Sequence, residues 1–407
     1  MLTLISNIKS LIQTRSENVL RVNGLNMKYL PQIDDAYLIV ENGLIHSFGK
    51  MSELPMLQFA ETFDASDRLI LPTWIDSHTH LVYAASREQE FVDRINGLSY
   101  AEIAAKGGGI LNSARKMADA DEQQLYEAAA ARLEQLIALG TGAIEIKSGY
   151  GLSTAAELKM LRVIRSLKEN YPRIPIKASF LAAHAFPLEY RENHQGYIDL
   201  IINEMLPQVA GEGLADYMDA FCEEGFFSVA ETEQLLEAGW KYGLKPKIHA
   251  NQLHRSGGVQ VGVKHDAVSV DHLESMGQEE LDCLRESHTI PTLLPGAAFF
   301  LGMHYQPARM MIDADLPVFL ASDLNPGTCP SGNINLLLTI ACTQLKMTPE
   351  EAVNAQTINA AAAMELEESM GSITVGKKAS LIITKPVPSL AYLPYAYGEN
   401  LIEKVIV

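Results

Sequence analysis

Leu71-Pro72-Thr73-Trp74-Ile75-Asp76-Ser77-His78-Thr79-His80 is an apolar run that ends on two histidines one residue apart. Alternate residues of an extended segment face the same side, so a strand here aims both imidazoles at one point. Working outward, Ile70–Ile75 is the first of eight short apolar runs. The others are Ala143–Lys147, Lys177–His184, Met218–Cys222, Lys247–Ala250, Ala267–His272, Thr289–Leu294 and Val318–Ser322. Between most of them lie stretches of helical periodicity, such as Asp121–Leu139, Ala155–Glu169 and Val229–Tyr242. Eight strands separated by helices predict a closed (β/α)8 barrel of the TIM type. A doubly wound open sheet is the competing architecture, but no Gly-x-Gly-x-x-Gly follows an early strand and no Gly-Lys-Ser/Thr loop is present. Gly107-Gly108-Gly109 follows a helical pattern, not a strand, and reads as a mobile loop over a site rather than a phosphate cradle.

The two ends of the chain have a different texture. Tyr37–Ile45 is apolar run, Asn-Gly turn, apolar run, which is a hairpin signal. Gly371–Gly376, Ala379–Thr384 and Val405–Val407 are similarly β-rich. The expected organisation is a small β-sandwich built from residues 1–66 and 366–407, flanking a barrel domain over 67–365.

Composition narrows the function. With 407 residues and 47% hydrophobic content, the chain is long enough for a barrel of about 250 residues with an added unit. A net charge of −18 argues against nucleic acid or an anionic membrane as partner, since both need a basic face. It also means that an anionic substrate requires a local cation. The four cysteines, Cys222, Cys283, Cys329 and Cys342, contain no Cys-x-x-Cys pair and fit a reducing compartment. The first twenty residues lack a signal-peptide core, and no run approaches the ~18 apolar residues of a membrane span. A cytoplasmic protein, assembled as a homodimer, is expected.

The polar residues that matter fall at the ends of the runs, where barrels of this kind build their sites. His78 and His80 are followed by His184, His249, His272 and Asp323, each closing its own run. Any one of them alone reads as a hydrogen-bonded structural residue. The joint pattern predicts a metal site. Imidazoles with one carboxylate suit zinc or iron, with Zn2+ and Fe2+/Fe3+ equally served by this donor set, and not magnesium or calcium. Such an ion makes hydroxide available at neutral pH, and Asp323 can both hold it and accept the water's proton. His46, His194, His254, His265, His288 and His304 read as structural.

Pro72–His80 resembles the opening motif of the amidohydrolase superfamily. Arg87–Phe91, Ser99–Ile103, Lys106–Ile110, Glu145–Gly151, Ser322–Thr328 and Thr357–Ala361 resemble the imidazolonepropionase family in particular, over nearly the whole chain. The resemblance implies hydrolysis of the ring C–N bond of 4-imidazolone-5-propanoate to N-formimidoyl-L-glutamate, in histidine degradation, with one metal ion per chain. It implies metal ligation by His78, His80, His249 and Asp323. Substrate contacts are implied for Arg87, Tyr150, His184, Gln252, Asn325, Gly327 and Thr328. The chemistry agrees: Arg87 can hold a propanoate through two parallel hydrogen bonds, although an ion pair with Glu88 or Glu90 is its plainer reading. His184 is expected to donate to the ring carbonyl, and His272 to orient water or relay a proton. Tyr150 can reach the ring or tail with its hydroxyl, the alternative being a core tyrosine. Asp323 and His272 both stand as the general base, since Gln252 cannot shuttle a proton. Lys147 raises a binuclear alternative, because a carboxylated lysine bridges two metals in some relatives. Ser380 stands where related strands carry Asp and is expected to be structural. The rival functions are a mononuclear deaminase of a nitrogenous heterocycle, disfavoured by Gln252 where an acid is needed, and a non-catalytic binding relative, disfavoured by the complete ligand set.

Overall fold

The computed structural model describes residues 2–98, 102–103 and 106–407. Positions 99–101 of the Ser99–Ile103 motif therefore lie outside the described residues. Eight parallel strands form one sheet in chain order: Trp74–Asp76, Thr141–Lys147, Ile176–Ala183, Tyr217–Cys222, Lys245–Ala250, Ser269–His272, Ile290–Leu293 and Phe319–Leu320. The sheet closes on itself where the first and last strands end. Asp323 N donates to His78 O at 3.0 Å and His80 N donates to Leu324 O at 2.8 Å. A parallel bridge between Thr79 and Leu324 completes the seam. The (β/α)8 barrel expected from the alternating runs is the architecture found.

The helices between the strands carry local start signals. Asp121 accepts from Gln123 N and Gln124 N ahead of helix Glu122–Ala138, and Ser228 forms a capping box with Glu231 ahead of Val229–Lys241. Each turns an apolar stripe, Leu125, Ala129, Leu133 and Leu136 in the first case, onto the outside of the barrel.

A second, seven-stranded sheet draws on both ends of the chain, with Leu2–Ile12, Gln32–Glu41 and Leu44–Lys50 on one side and Leu381–Thr384 and Ile402–Ile406 on the other. Here one expectation needs correction. The run Ile70–Ile75 is not a single barrel strand. Leu69–Pro72 pairs with Leu2–Ile12 and Leu381–Thr384 in the terminal sheet, and only Trp74–Asp76 enters the barrel. Pro72 has no N–H to extend a ladder, and Thr73 N is taken by Ser380 O at 3.1 Å, so the chain changes sheets there. Ser380 Oγ also bonds Thr73 Oγ1 at 2.7 Å, the structural role expected of it. Of the C-terminal runs, Gly371–Gly376 supplies only an isolated bridge from Ile373 to Thr14. No helix among the described residues is long and apolar enough to cross a membrane.

Candidate metal centre

Strand parity puts His78 and His80 on the inner face, at the closing seam and directly beside Asp323. His249 arrives by the same parity two residues beyond Lys247. His272 follows a different route. It succeeds the inward-facing Asp271, and a φ of 88° at His272 followed by 66° at Leu273 turns its ring toward the centre. Asp323 also sits at positive φ, 57°. Non-glycine residues adopt that region at a cost that the surrounding structure must offset, and such positions gather at functional sites.

The donor atoms converge. His80 Nε2 and His249 Nε2 are 3.4 Å apart, and Asp323 Oδ1 lies 3.6 Å from His78 Nε2 and 3.7 Å from His80 Nε2. Four ligands held about 2.1 Å from one ion in a tetrahedron would be separated by about 3.4 Å, so the spacing fits a common cation. His78 Nε2 is fully buried and has no hydrogen-bond partner among the described residues, which is costly unless something else satisfies it. His272 borders the same point, since its ligand atom groups with those of His78 and Asp323 within 4.8 Å. None of the six histidines read as structural joins either group. His194 instead stacks on Phe186 and pairs with Glu231.

The outer nitrogens are held as well. Asp271 Oδ2 lies 2.6 Å from His78 Nδ1, and Asp219 Oδ1 lies 3.1 Å from His249 Nδ1. With the proton on Nδ1, both rings offer the Nε2 lone pair inward. Burial, reinforced by Lys147 and by neighbouring rings, holds His78 and His80 well below the usual imidazole range. Burial likewise lowers His249, against the pull of Asp219, and pushes the Asp323 carboxyl up to about 7. Burial would also lower His272, but the carboxylates of Glu274, Asp323 and Asp271 raise it. Neutral imidazoles beside a desolvated carboxyl form a donor set that a divalent cation would complete.

Above the centre is a cavity of 410 Å³, a size suited to a small ligand. Arg87, Tyr150, His184, Gln252, Asn325, Gly327 and Thr328 all line it, together with His80, His249, His272 and Asp323. The ion-pair reading of Arg87 also holds, because Arg87 Nη2 lies 2.5 Å from Glu90 Oε2. Arg87 Nε remains buried without a partner among the described residues. Glu90 Oε1 accepts Gly109 N–H at 3.0 Å, which ties the triple-glycine loop to this arginine. Gly327 packs flat against the guanidinium, and a Cβ there would fall 2.8 Å from Arg87 Cζ. Asn325 organises its own loop. Its Nδ2 donates to Asp323 O and Thr328 Oγ1, and its Oδ1 accepts from Gly327 N and Thr328 N, each at 2.7 to 2.8 Å.

The proton position on His184 bears on the role expected of it. Its Nδ1 lies 3.2 Å from Gly149 O, so Nδ1 carries the proton. Burial lowers the ring to about 3, which keeps it neutral. Nε2 then carries the lone pair.

Several participants were not singled out from sequence. Arg94 lines the cavity and donates to Gly327 O at 2.8 Å. Glu157 braces the Tyr150 loop by accepting from Gly149 N, Gly151 N and Leu152 N. Phe221 and Phe226 form an apolar wall. Asp219 carried a usable signal, since it is a charged residue inside an otherwise apolar strand.

The amidohydrolase family model matches residues 69–406 of the chain. An imidazolonepropionase of Christiangramia forsetii is 55% identical over 407 residues, covering 100% of this chain and 99% of that protein. One of Flavobacterium johnsoniae is 56% identical, with coverage of 100% and 99%. Among solved structures, E. coli guanine deaminase aligns with a TM-score of 0.74 at 14% identity, covering 100% of this chain and 97% of that one, and shares the fold.

Proposed function

This chain belongs to the amidohydrolase family and, within it, to the imidazolonepropionases, and from that membership we propose how its residues hydrolyse 4-imidazolone-5-propanoate to N-formimidoyl-L-glutamate. The observation that carries the reading is the convergence of four buried donor atoms, at 3.4 to 3.7 Å, on the floor of a cavity walled by an arginine. His78, His80 and His249, through Nε2, and Asp323, through Oδ1, would hold one Zn2+ or iron ion. Such an ion lowers the pKa of water from 15.7 to about 7 and so supplies a nucleophile at neutral pH.

Every other task falls to the chain. Arg87 receives the propanoate through its fork, and Gly327 leaves room for it. Tyr150 closes one side of the ring pocket. His184 Nε2 accepts a ring N–H and so orients the carbonyl carbon toward the centre. Asp323 Oδ2, steadied by Thr328 Oγ1 at 3.4 Å, takes the proton of the attacking water. As the C–N bond breaks, that proton passes to the departing ring nitrogen, with His272 placed beside Asp323 to share it. The carbonyl carbon becomes a carboxylic acid, which releases its remaining proton to solvent and stands as a carboxylate in the product. Lys147 supports the one-ion reading: its Nζ lies 2.6 Å from Glu145 and 2.8 Å from Asp219, contacts for an ammonium and not for a carbamate anion. The four cysteines are free thiols, which suits the cytoplasm as compartment.

The test is direct. The protein, supplied with freshly prepared imidazolone propanoate, is expected to remove its ultraviolet absorbance without releasing ammonia, and a chelator is expected to abolish this until metal is restored. Ammonia release would identify a deaminase, and bound metal without turnover a binding protein. Gly327→Ala is expected to raise KM roughly 10- to 100-fold with a smaller change in kcat, because the added methyl displaces Arg87. An unchanged KM would place the guanidinium elsewhere during turnover.

A further inference from the structure

Below the ligands the barrel interior holds a second layer of charge: Glu145, Lys147, Asp219, Lys247 and Asp271, all with fully buried side chains. Lys147 Nζ is 2.6 Å from Glu145 Oε1, 2.8 Å from Asp219 Oδ2 and 3.8 Å from Asp271 Oδ2. Asp219 presents its other oxygen to His249, and Asp271 presents Oδ2 to His78. The two carboxylates that aim two of the histidines thus share one counter-ion. Lys247 is engaged elsewhere, by Glu145 Oε2 and by Ser77 O.

A buried carboxylate without a nearby cation swings toward another donor, and three carboxylates so close repel one another. Such a movement would release the Nδ1–H of a histidine and let its ring turn. The strand pattern also makes Lys147 the central member, since Glu145 lies two residues before it on the same inner face while Asp219 and Asp271 come from two other strands.

We propose that Lys147 is a positioning residue of the metal centre, whose ammonium locks Asp219 and Asp271 and through them points His249 Nε2 and His78 Nε2 at their common target. This rests on the ligand assignment made above. The lysine touches neither substrate nor reacting atoms, so its effect is read in the metal's affinity and geometry.

The experiment compares Lys147→Met, Lys147→Gln and His249→Ala with the unaltered protein. Zn2+ affinity is measured by chelator competition, the visible spectrum of the Co2+-loaded protein reports ligand geometry, and the melting of the metal-free protein reports stability. Both lysine variants are expected to bind Zn2+ about 10- to 100-fold more weakly, with an altered Co2+ spectrum. Affinity and spectrum unchanged in a folded lysine variant would overturn the proposal, even with a lowered melting temperature. If His249→Ala also bound Zn2+ normally, the ligand assignment itself would fail. Lys147→Met keeps the length and volume of the side chain, Lys147→Gln keeps hydrogen-bonding capacity, and neither carries the charge. Failure of both lysine variants to fold in the presence of Zn2+ would make Lys147 a determinant of the fold and overturn the positioning role.

Discussion

Asp323→Asn is expected to retain the fold and lose activity by about 10³-fold or more in kcat. The amide has nearly the shape of the carboxylate, and asparagine tolerates the positive φ of 57° at this position. What disappears is chemical. Oδ1 stands 3.6 and 3.7 Å from two histidine nitrogens, where an anionic ligand completes the donor set, and an amide oxygen carries no charge to contribute. At the other oxygen, no basic site remains for the water's proton. Kinetics should be paired with metal analysis. Near-normal turnover with metal still bound would remove Asp323 as proton acceptor and transfer that role to His272.

Arg87→Ala is expected to lower kcat/KM by about 2–4 kcal/mol, roughly 30- to 1,000-fold. Two effects act together. The propanoate loses its bidentate partner in a chain whose net charge of −18 opposes any anion. Glu90, which pairs with Arg87 at 2.5 Å, is left largely buried and uncompensated in the same cavity, where it repels the substrate's tail. Arg94 also lines the cavity and keeps the loss from being total. Most of the change should appear in KM, and wild-type kinetics in this variant would take Arg87 out of the site.

Much of the fold was legible because barrel strands are short apolar runs that end where their polar residues begin. Ala143–Lys147 and Met218–Cys222 each lie within one or two residues of the observed strand, for that reason. The split at Thr73 was not legible, since apolar periodicity continues across it and only the pairing of Pro72 with Leu381 and the bond from Thr73 N to Ser380 O reveal it. That His78, His80, His184, His249, His272 and Asp323 gather at one end of the barrel could be read from strand ends, whereas the choice of His78, His80, His249 and Asp323 as ligands came from the family resemblance. The His184 tautomer could not, because it depends on which carbonyl lies within 3.2 Å of Nδ1. Arg94 was hidden in an ordinary helical charge pattern, with nothing local to distinguish a guanidinium facing a cavity from one facing water.

The seam of the barrel has a temporal meaning. Asp76 and Ser322, bonded across it, are 246 positions apart in the chain, so this pairing joins the first strand of the barrel to the last. Contacts of such separation carry a large loop-closure cost and slow folding. The peptides that make this last junction are those bearing His78, His80 and Asp323. A partly assembled ring therefore offers no complete nest for an ion, and a cation held there would be a latch that fastens only on a finished circle.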